Sequence, residues 1–327
     1  MNSKEIKTLF LAGIISLCSF SVSAQSEVST IFRFLDVTPN AHASALGGNH
    51  TGLFEGDYSS YHINPAYLFG ATNGQVSATF VNLLADSKMG FTNGAFQINE
   101  NNQVGLGIRF LGYGDFKTLD KNGNELGDFN AIDLAVSGAY ATKVAPMWSG
   151  GVSFDLIHSS YEQYKSTAFA VTGGIYYKNI EKHFSFGAAI RNLGTQLSTY
   201  AGKKEPLPLD VSIGISKKPE SFPAELSLTL RRLNDWDMRI INETETPALF
   251  DNLYRHVIFG GKFDFGENFH VRLGYNRYLH ELNKTKENFD FAGIGVGFNV
   301  KDLIIDISRN SYSETGGVVQ LSIKTTL

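Results

Sequence analysis

The chain has 327 residues and a formal net charge of −4, and its Lys and Arg are not clustered. A nucleic-acid footprint or another strong polyelectrolyte partner is therefore not implied. Charged residues make up 18% and aromatics 13%, with 33 glycines; an ordinary soluble domain carries roughly 25% charged residues.

The first element is a leader. Lys4 and Lys7 precede an apolar run from Leu9 to Phe20, followed by Val22, Ser23 and Ala24. This order is that of a secretory signal peptide, 1–24, cleaved after Ala24 to leave Gln25 first. The run is too short for a spanning helix, which needs about 20 residues. The only cysteine, Cys18, follows Leu17 rather than the small residue a lipoprotein would need. A mature chain would then hold no cysteine and form no disulfide.

Residues 25–74 contain FRFLDVTPNAHASALGGNHTGLFEGDYSSYHINPAYL, which does not alternate and is too apolar for a free tail. We expect it to fold as a plug or hatch, into or under the lumen enclosed by residues 75–327; a flexible periplasmic arm is the alternative.

From 75 to 327 a period of two dominates, and no apolar run reaches the 18 residues of a candidate spanning helix. Candidate strands lie at 75–84, 89–98, 103–113, 128–141, 147–157, 167–177, 183–193, 207–216, 223–232, 254–264, 268–278, 289–298, 301–309 and 317–327. In 257–265, Val257, Phe259, Gly261, Phe263 and Phe265 oppose Ile258, Gly260, Lys262 and Asp264. In 269–276, Phe269, Val271, Leu273 and Tyr275 oppose His270, Arg272, Gly274 and Asn276.

A soluble sandwich alternates as well; the connections separate the two cases. Short links (near 99–102, 142–146, 178–182, 217–222, 265–267 and 299–300) alternate with longer ones at 114–127, 158–166, 194–206, 233–253 and 279–288; of the longer set only the first and last, near 86–90 and 310–316, are short. That rhythm belongs to an up-and-down barrel with tight turns at one rim and loops at the other. The expected fold is all-β: a 14-stranded antiparallel transmembrane β-barrel over 75–327 with an N-terminal plug, in the outer membrane. Lipid cannot satisfy backbone amides, so the sheet must close on itself. Phe and Leu then face lipid, and the small and charged residues face the lumen.

Tyr140, Tyr161, Tyr164, Tyr176, Tyr177, Tyr275 and Tyr278 fit interfacial girdles. The inward charges Arg109, Asp133, Arg191, Arg231, Lys262, Arg272 and Asp306 are expected to form lumenal ion pairs, with a selective pore as the sharper alternative. Gly293, Gly295 and Gly297 in GIGVGF could mark a strand kink or merely small residues packing inside the barrel.

The loop at 233–253 sets Trp236, Met238, Ile240 and Ile241 beside acidic residues. That composition suits a partner surface; a loop folded inward over the mouth fits equally well.

The stretch Asp120–Glu125 places Gly123 fourth, not sixth as a calcium loop requires, and reads as an Asn-Gly turn. His256, His270 and His280 have no serine partner that spacing can locate. No phosphate loop or Cys/His metal cluster occurs. Catalytic, cofactor and metal sites are accordingly not expected.

ALGGN, a stretch reaching Asp57, and INPAYL together resemble the N-terminal motif of fourteen-stranded barrels of the fatty-acid-transporter type, through Ala45, Gly47, Gly48, Asp57, Asn64, Pro65 and Ala66. Residues 110–141 are similar to the third-to-fourth strand hairpin of the PorV/PorQ barrels of the type IX secretion system, and FLDVTPNAHASALGG resembles the PorQ branch. The departure is His42, where an arginine is expected. The resemblance implies a non-enzymatic member of the cell-surface attachment complex. Its implied partners are a PorV-like shuttle, a PorU-like sortase and a PorZ-like lipopolysaccharide-binding surface protein. By that analogy the barrel anchors the surface protein while cargo with a C-terminal signal is attached. The broader superfamily permits a channel for hydrophobic small molecules instead, and the same secretion family permits the PorV-type cargo shuttle.

Overall fold

A computed structural model describes residues 30–70, 73–83, 86–240, 243, 245–282, 293–313 and 316–327. The expected signal peptide and Ile241 lie outside them.

Fourteen strands form one closed antiparallel ring. They are β1 (Gln75–Asn82), β2 (Lys88–Asn99), β3 (Asn102–Leu119), β4 (Glu125–Ala145), β5 (Trp148–Tyr161), β6 (Tyr164–Asn179) and β7 (Phe184–Ser198). β8 (Asp210–Lys217), β9 (Ala224–Leu230), β10 (Val257–Phe265), β11 (Phe269–Asn276), β12 (Gly293–Val300), β13 (Leu303–Ser313) and β14 (Gly316–Thr326) complete it. The ring closes where β1 meets β14, from Gln75↔Thr326 to Asn82↔Val319. Among the described residues three short α-helices lie outside the ladder: α1 (Ala41–Ala45), α2 (Leu249–Arg255) and α3 (Arg277–Leu282).

The side-chain period sorts the chemistry. On β5, Ser153, Asp155 and Ile157 are buried in the lumen while Phe154 and Leu156 are exposed on the outer face. The same outer band includes Phe80, Leu106, Ile108, Phe110, Ile190, Leu193, Phe259, Ile294 and Leu321. Closure leaves no sheet edge, and the exposed apolar band is what hydrocarbon wants. Tyr140 is exposed on the outer face, Tyr161 and Tyr164 are exposed at the tip of the β5–β6 hairpin, and Tyr176 points inward and is buried. It meets the ring of Tyr67 edge-on at 4.9 Å.

Two expected loops are strand instead. Residues 114–127 and 158–166 mostly extend hairpins, so β3–β4 pairing runs to Leu119↔Glu125 and β5–β6 pairing to Tyr161↔Tyr164. Beyond the membrane these arms are held by cross-strand pairs. Phe116 stacks on its partner Phe129 at 5.2 Å, Phe129 meets Tyr161 at 5.4 Å, and Lys117 pairs with Glu125. At the tip, Asp120 Oδ1 accepts the N–H groups of Asn122 and Asn124, with Gly123 at φ +84°. That carboxylate serves its own turn.

One seam of the wall is different. β7–β8 pairing stops at Arg191↔Asp210, although β7 continues to Ser198. Pro206 and Pro208 lack the N–H a ladder needs, and the segment 199–209 lies there as loop. It is fastened through side chains. Asn192 Nδ2 donates to the Pro208 carbonyl (2.9 Å), and Gln196 Oε1 accepts the Glu205 N–H (2.7 Å).

Candidate functional site

The lumen is filled by the chain's own residues 30–70. After α1 the segment makes two short 3₁₀ turns, Tyr58–His62 and Pro65–Gly70, and most of its side chains are buried against the inner wall. Asn40 caps α1 by accepting the Ala43 N–H at 3.0 Å, and Asp57 caps the next turn by accepting the Ser59 N–H at 2.9 Å.

Six of the seven motif residues meet the barrel wall, and the seventh, Asp57, caps a turn within the plug. Ala45 ends α1, and a Cβ added at Gly295 would lie 2.6 Å from its own. Gly47 and Gly48 take φ of +93° and +137°, the left-handed side that glycine alone reaches cheaply. Opposite them, a Cβ at Gly274 would lie 1.9 Å from the Leu46 carbonyl carbon, so backbone meets backbone there. Asn64 donates to the Ile175 carbonyl (3.0 Å) and accepts the Ala66 N–H (3.1 Å); Ser149 Oγ donates to the Ala66 carbonyl (3.0 Å). A Cβ at Gly151 would lie 2.5 Å from the Pro65 carbonyl carbon. Gly293, Gly295 and Gly297 likewise face plug or lumen atoms, while β11–β12 pairing runs unbroken past them.

His42, where the resemblance led us to expect arginine, sits 3.5 Å from Asp57, but burial lowers its pKa, so it does not supply an arginine's fixed charge. Burial opposes ionisation of Asp57, yet Lys324, His42 and the bonds from Ser59 hold its carboxyl below the usual range. Burial pushes His50 down to about 4, so its ring is neutral at physiological pH.

The seven inward charges all lie in the lumen, six of them in ion pairs. Arg109 pairs with Asp155 at 2.7 Å. Arg191 and Arg231 converge on Asp210 at 2.5 and 3.0 Å and on Asp36 at 3.3 and 3.7 Å. Arg272 bridges Glu55 and Asp306, each at 2.7 Å, and Lys262 reaches Glu55 at 3.5 Å. Asp133 instead accepts the Tyr113 hydroxyl at 2.6 Å. Asp36 and Glu55, the plug acids that complete these pairs, were not singled out by the sequence; no periodicity marks them. The Glu55 side chain is only 4% exposed, which works against its charge, but Arg272, Lys262 and His42 hold its carboxyl well below the usual range.

Beside these charges the lumen holds an apolar cluster, with Phe91 on the rung of Arg109 and Leu111 on that of Asp133. Val81, Met89, Phe91, Leu111, Ile157 and Val318 line a chamber from the wall, and Phe32, Phe34 and Leu35 of the plug occupy it. The unpaired seam borders this chamber: Leu207 of the loop belongs to the same cluster, Tyr200 lies 6.5 Å from Phe32, and the Ile31 N–H donates to the Pro206 carbonyl at 3.2 Å.

Of the proposed partner-loop residues, Trp236 is exposed and stacks on His256 at 4.9 Å. Ile240 is half-buried. Met238 is buried, contrary to the partner-surface expectation, because its N–H is tied to Asn252 Oδ1 and its carbonyl to Arg255. The histidines have other bonds: His256 to the Arg231 carbonyl at 2.7 Å and His270 to Asp264 at 2.8 Å, while His280 lies against the Tyr275 ring.

No family model and no curated protein matches the sequence. Solved structures match its shape. The Pseudomonas putida toluene transporter TodX is similar at a TM-score of 0.54 and 13% identity, over 91% of this chain and 98% of that one. The monoaromatic hydrocarbon channel CymD is similar at 0.56 and 12%, over 91% and 99%. A Pseudomonas aeruginosa FadL homologue is similar at 0.54 and 13%, over 88% and 98%. At these identities the likeness concerns the fold, and the fold is that of the FadL-type outer-membrane barrels.

Proposed function

We propose that the protein is a non-enzymatic outer-membrane channel for hydrophobic small molecules, which pass from the apolar chamber sideways through the β7–β8 seam. The observation that carries this reading is the juxtaposition of the two. The chamber is held by displaceable side chains of residues 32–35, and the adjoining wall is closed by a proline-containing loop instead of a hydrogen-bonded ladder. The inner lumen is crossed by ion pairs and close backbone contacts, so the exit in this reading is the side. TodX, a toluene transporter, and CymD, a monoaromatic hydrocarbon channel, support the substrate class. In this reading residues 1–24 direct export and 25–74 form the plug. The test is entry of labelled toluene or a long-chain fatty acid into vesicles holding the pure protein. Entry should exceed that of protein-free vesicles and rise further in Phe32→Ala; equal rates in all three would end the channel reading.

The sequence resemblance favours a second role, an anchor in the type IX secretion attachment complex with PorZ-like, PorU-like and PorV-like partners. Its support is the plug motif together with the extended β3–β4 arm. Affinity purification from native outer membrane should then bring a sortase or a lipopolysaccharide-binding surface protein with the barrel. A deletion strain that still displays every signal-bearing cargo protein would rule it out.

A further inference from the structure

The 231–256 loop carries an apolar face that neither role explains. The polar side of α2 is committed to the loop. Arg255 donates to the Met238 carbonyl at 2.9 Å and pairs with Glu243 and with Glu281 of α3, each at 2.6 Å. Asn252 accepts the Met238 N–H at 3.1 Å and donates to the Trp236 carbonyl. These bonds fix the rotation of the helix. The opposite side presents Leu249, Phe250, Leu253 and Tyr254, exposed at 65, 71, 37 and 56%. At 3.6 residues per turn these four cover an arc of about 140°, with Asn252 and Arg255 outside it. A pinned apolar face of this kind marks a contact.

Its position identifies the contact. One residue, His256, separates α2 from β10. Phe259 of β10 and its cross-strand partner Tyr275 stand on the outer face of the barrel. A cleft of about 400 Å³ opens between helix and wall, lined by Asp251, Tyr254, Val257, Phe259, Tyr275 and Arg277. The apolar face of α2 is therefore continuous with the lipid-facing band at its loop-side edge. Asp251 and Arg277 stand at the cleft as charged groups suited to headgroup level.

We propose that α2 is an interfacial anchor: its apolar face lies in the outer leaflet, and the cleft behind it receives lipid acyl chain. An amphipathic helix at such an interface sinks its apolar side to roughly 5–10 Å, at the boundary of headgroups and chains. Here the barrel sets that depth in advance, so the loop above the mouth is held by the membrane as well as by Arg255.

Depth-dependent quenching tests this. Wild type and Phe250→Trp are reconstituted in vesicles whose phospholipids carry bromine near the headgroup end of the chains, or near the chain ends. The chain has only two tryptophans, Trp148 and Trp236, and wild type gives their background. The emission added at position 250 should be lost with the shallow bromines, less affected by the deep ones, and resistant to aqueous iodide. Emission that survives both bromines and is quenched by iodide would overturn the proposal. So would a position open to iodide in pure lipid but shielded in native membrane, which would assign the face to a protein partner. Tyr254→Trp gives an independent reading, and heat-dependent gel migration confirms that each variant is folded.

Discussion

The β4–β5 seam pairs from Ala131↔Tyr161 to Ala145↔Trp148 with one register shift, whereas the β7–β8 seam pairs only from Phe184↔Lys217 to Arg191↔Asp210. Both belong to one closed wall, and both carry apolar side chains outward. In the first, the backbone alone satisfies the amides that lipid would leave unpaired. In the second, that task above Arg191 passes to Asn192, Gln196 and a loop with two prolines. The lumen divides in the same way. Its inner part is fixed by buried ion pairs and by backbone contacts that only glycine permits, and its outer part is filled by Phe32, Phe34 and Leu35. A barrel can thus be rigid where charge and backbone meet and replaceable where side chains merely fill space.

The strongest way to break this contrast is Arg272→Met. It leaves Glu55 and Asp306 buried without their shared partner, and removing one side of a buried pair costs about 3–5 kcal/mol. Urea unfolding in lipid vesicles should show that loss; a change below about 1 kcal/mol, the range of an exposed pair, would mean that water reaches the inner lumen freely. Next comes Gly274→Ala, whose new Cβ would collide with Leu46. Overpacking of this kind costs about 1–3 kcal/mol. Gly138→Ala, with no atom within 4 Å of the added Cβ, serves as the control and should stay within about 0.5 kcal/mol. Equal effects at the two glycines would show that the plug is not seated on Gly274.

These differences also explain what the sequence made legible. The fourteen strands could be read because a wall between lipid and lumen forces period two on every strand. That signal ends where lipid ends, so the arms built on Phe116, Phe129 and Tyr161 looked like loops although they are paired. The β8 segment was expected from 207, and Pro206 and Pro208 delay it to Asp210. Seven inward charges were readable from their face, but Asp155 and Asp210, on strands and paired with Arg109 and Arg191, were missed. The plug partners Asp36 and Glu55 were not readable, since a plug without periodicity shows which residues are acidic but not which rung of the wall each reaches. Met238 was misplaced for the same reason: composition proposed a surface, and two backbone bonds to Asn252 and Arg255 turned it inward.

The smallest effect should be the most local. Asn192→Ala removes the side-chain bond to the Pro208 carbonyl, for a net loss of about 0.5–1.5 kcal/mol, with some added local strain because Ala tolerates the φ of +58° there less well than Asn. Nothing in the inner lumen depends on that bond, so the change should be confined to the loop. Lys203 and Lys204 are exposed within it and offer trypsin two sites. Cleavage there should speed up in Asn192→Ala while global unfolding shifts only slightly. The converse substitution site is Ser137, on the fully paired β4–β5 seam, where its hydroxyl donates to Asp155. Ser137→Ala also loses one side-chain hydrogen bond, but the ladder around it is intact, so trypsin should cut the 199–209 loop no faster than in wild type. Loop cleavage that rises equally in both variants would mean that the β7–β8 loop follows the stability of the whole barrel and is not a separately opening part of its wall.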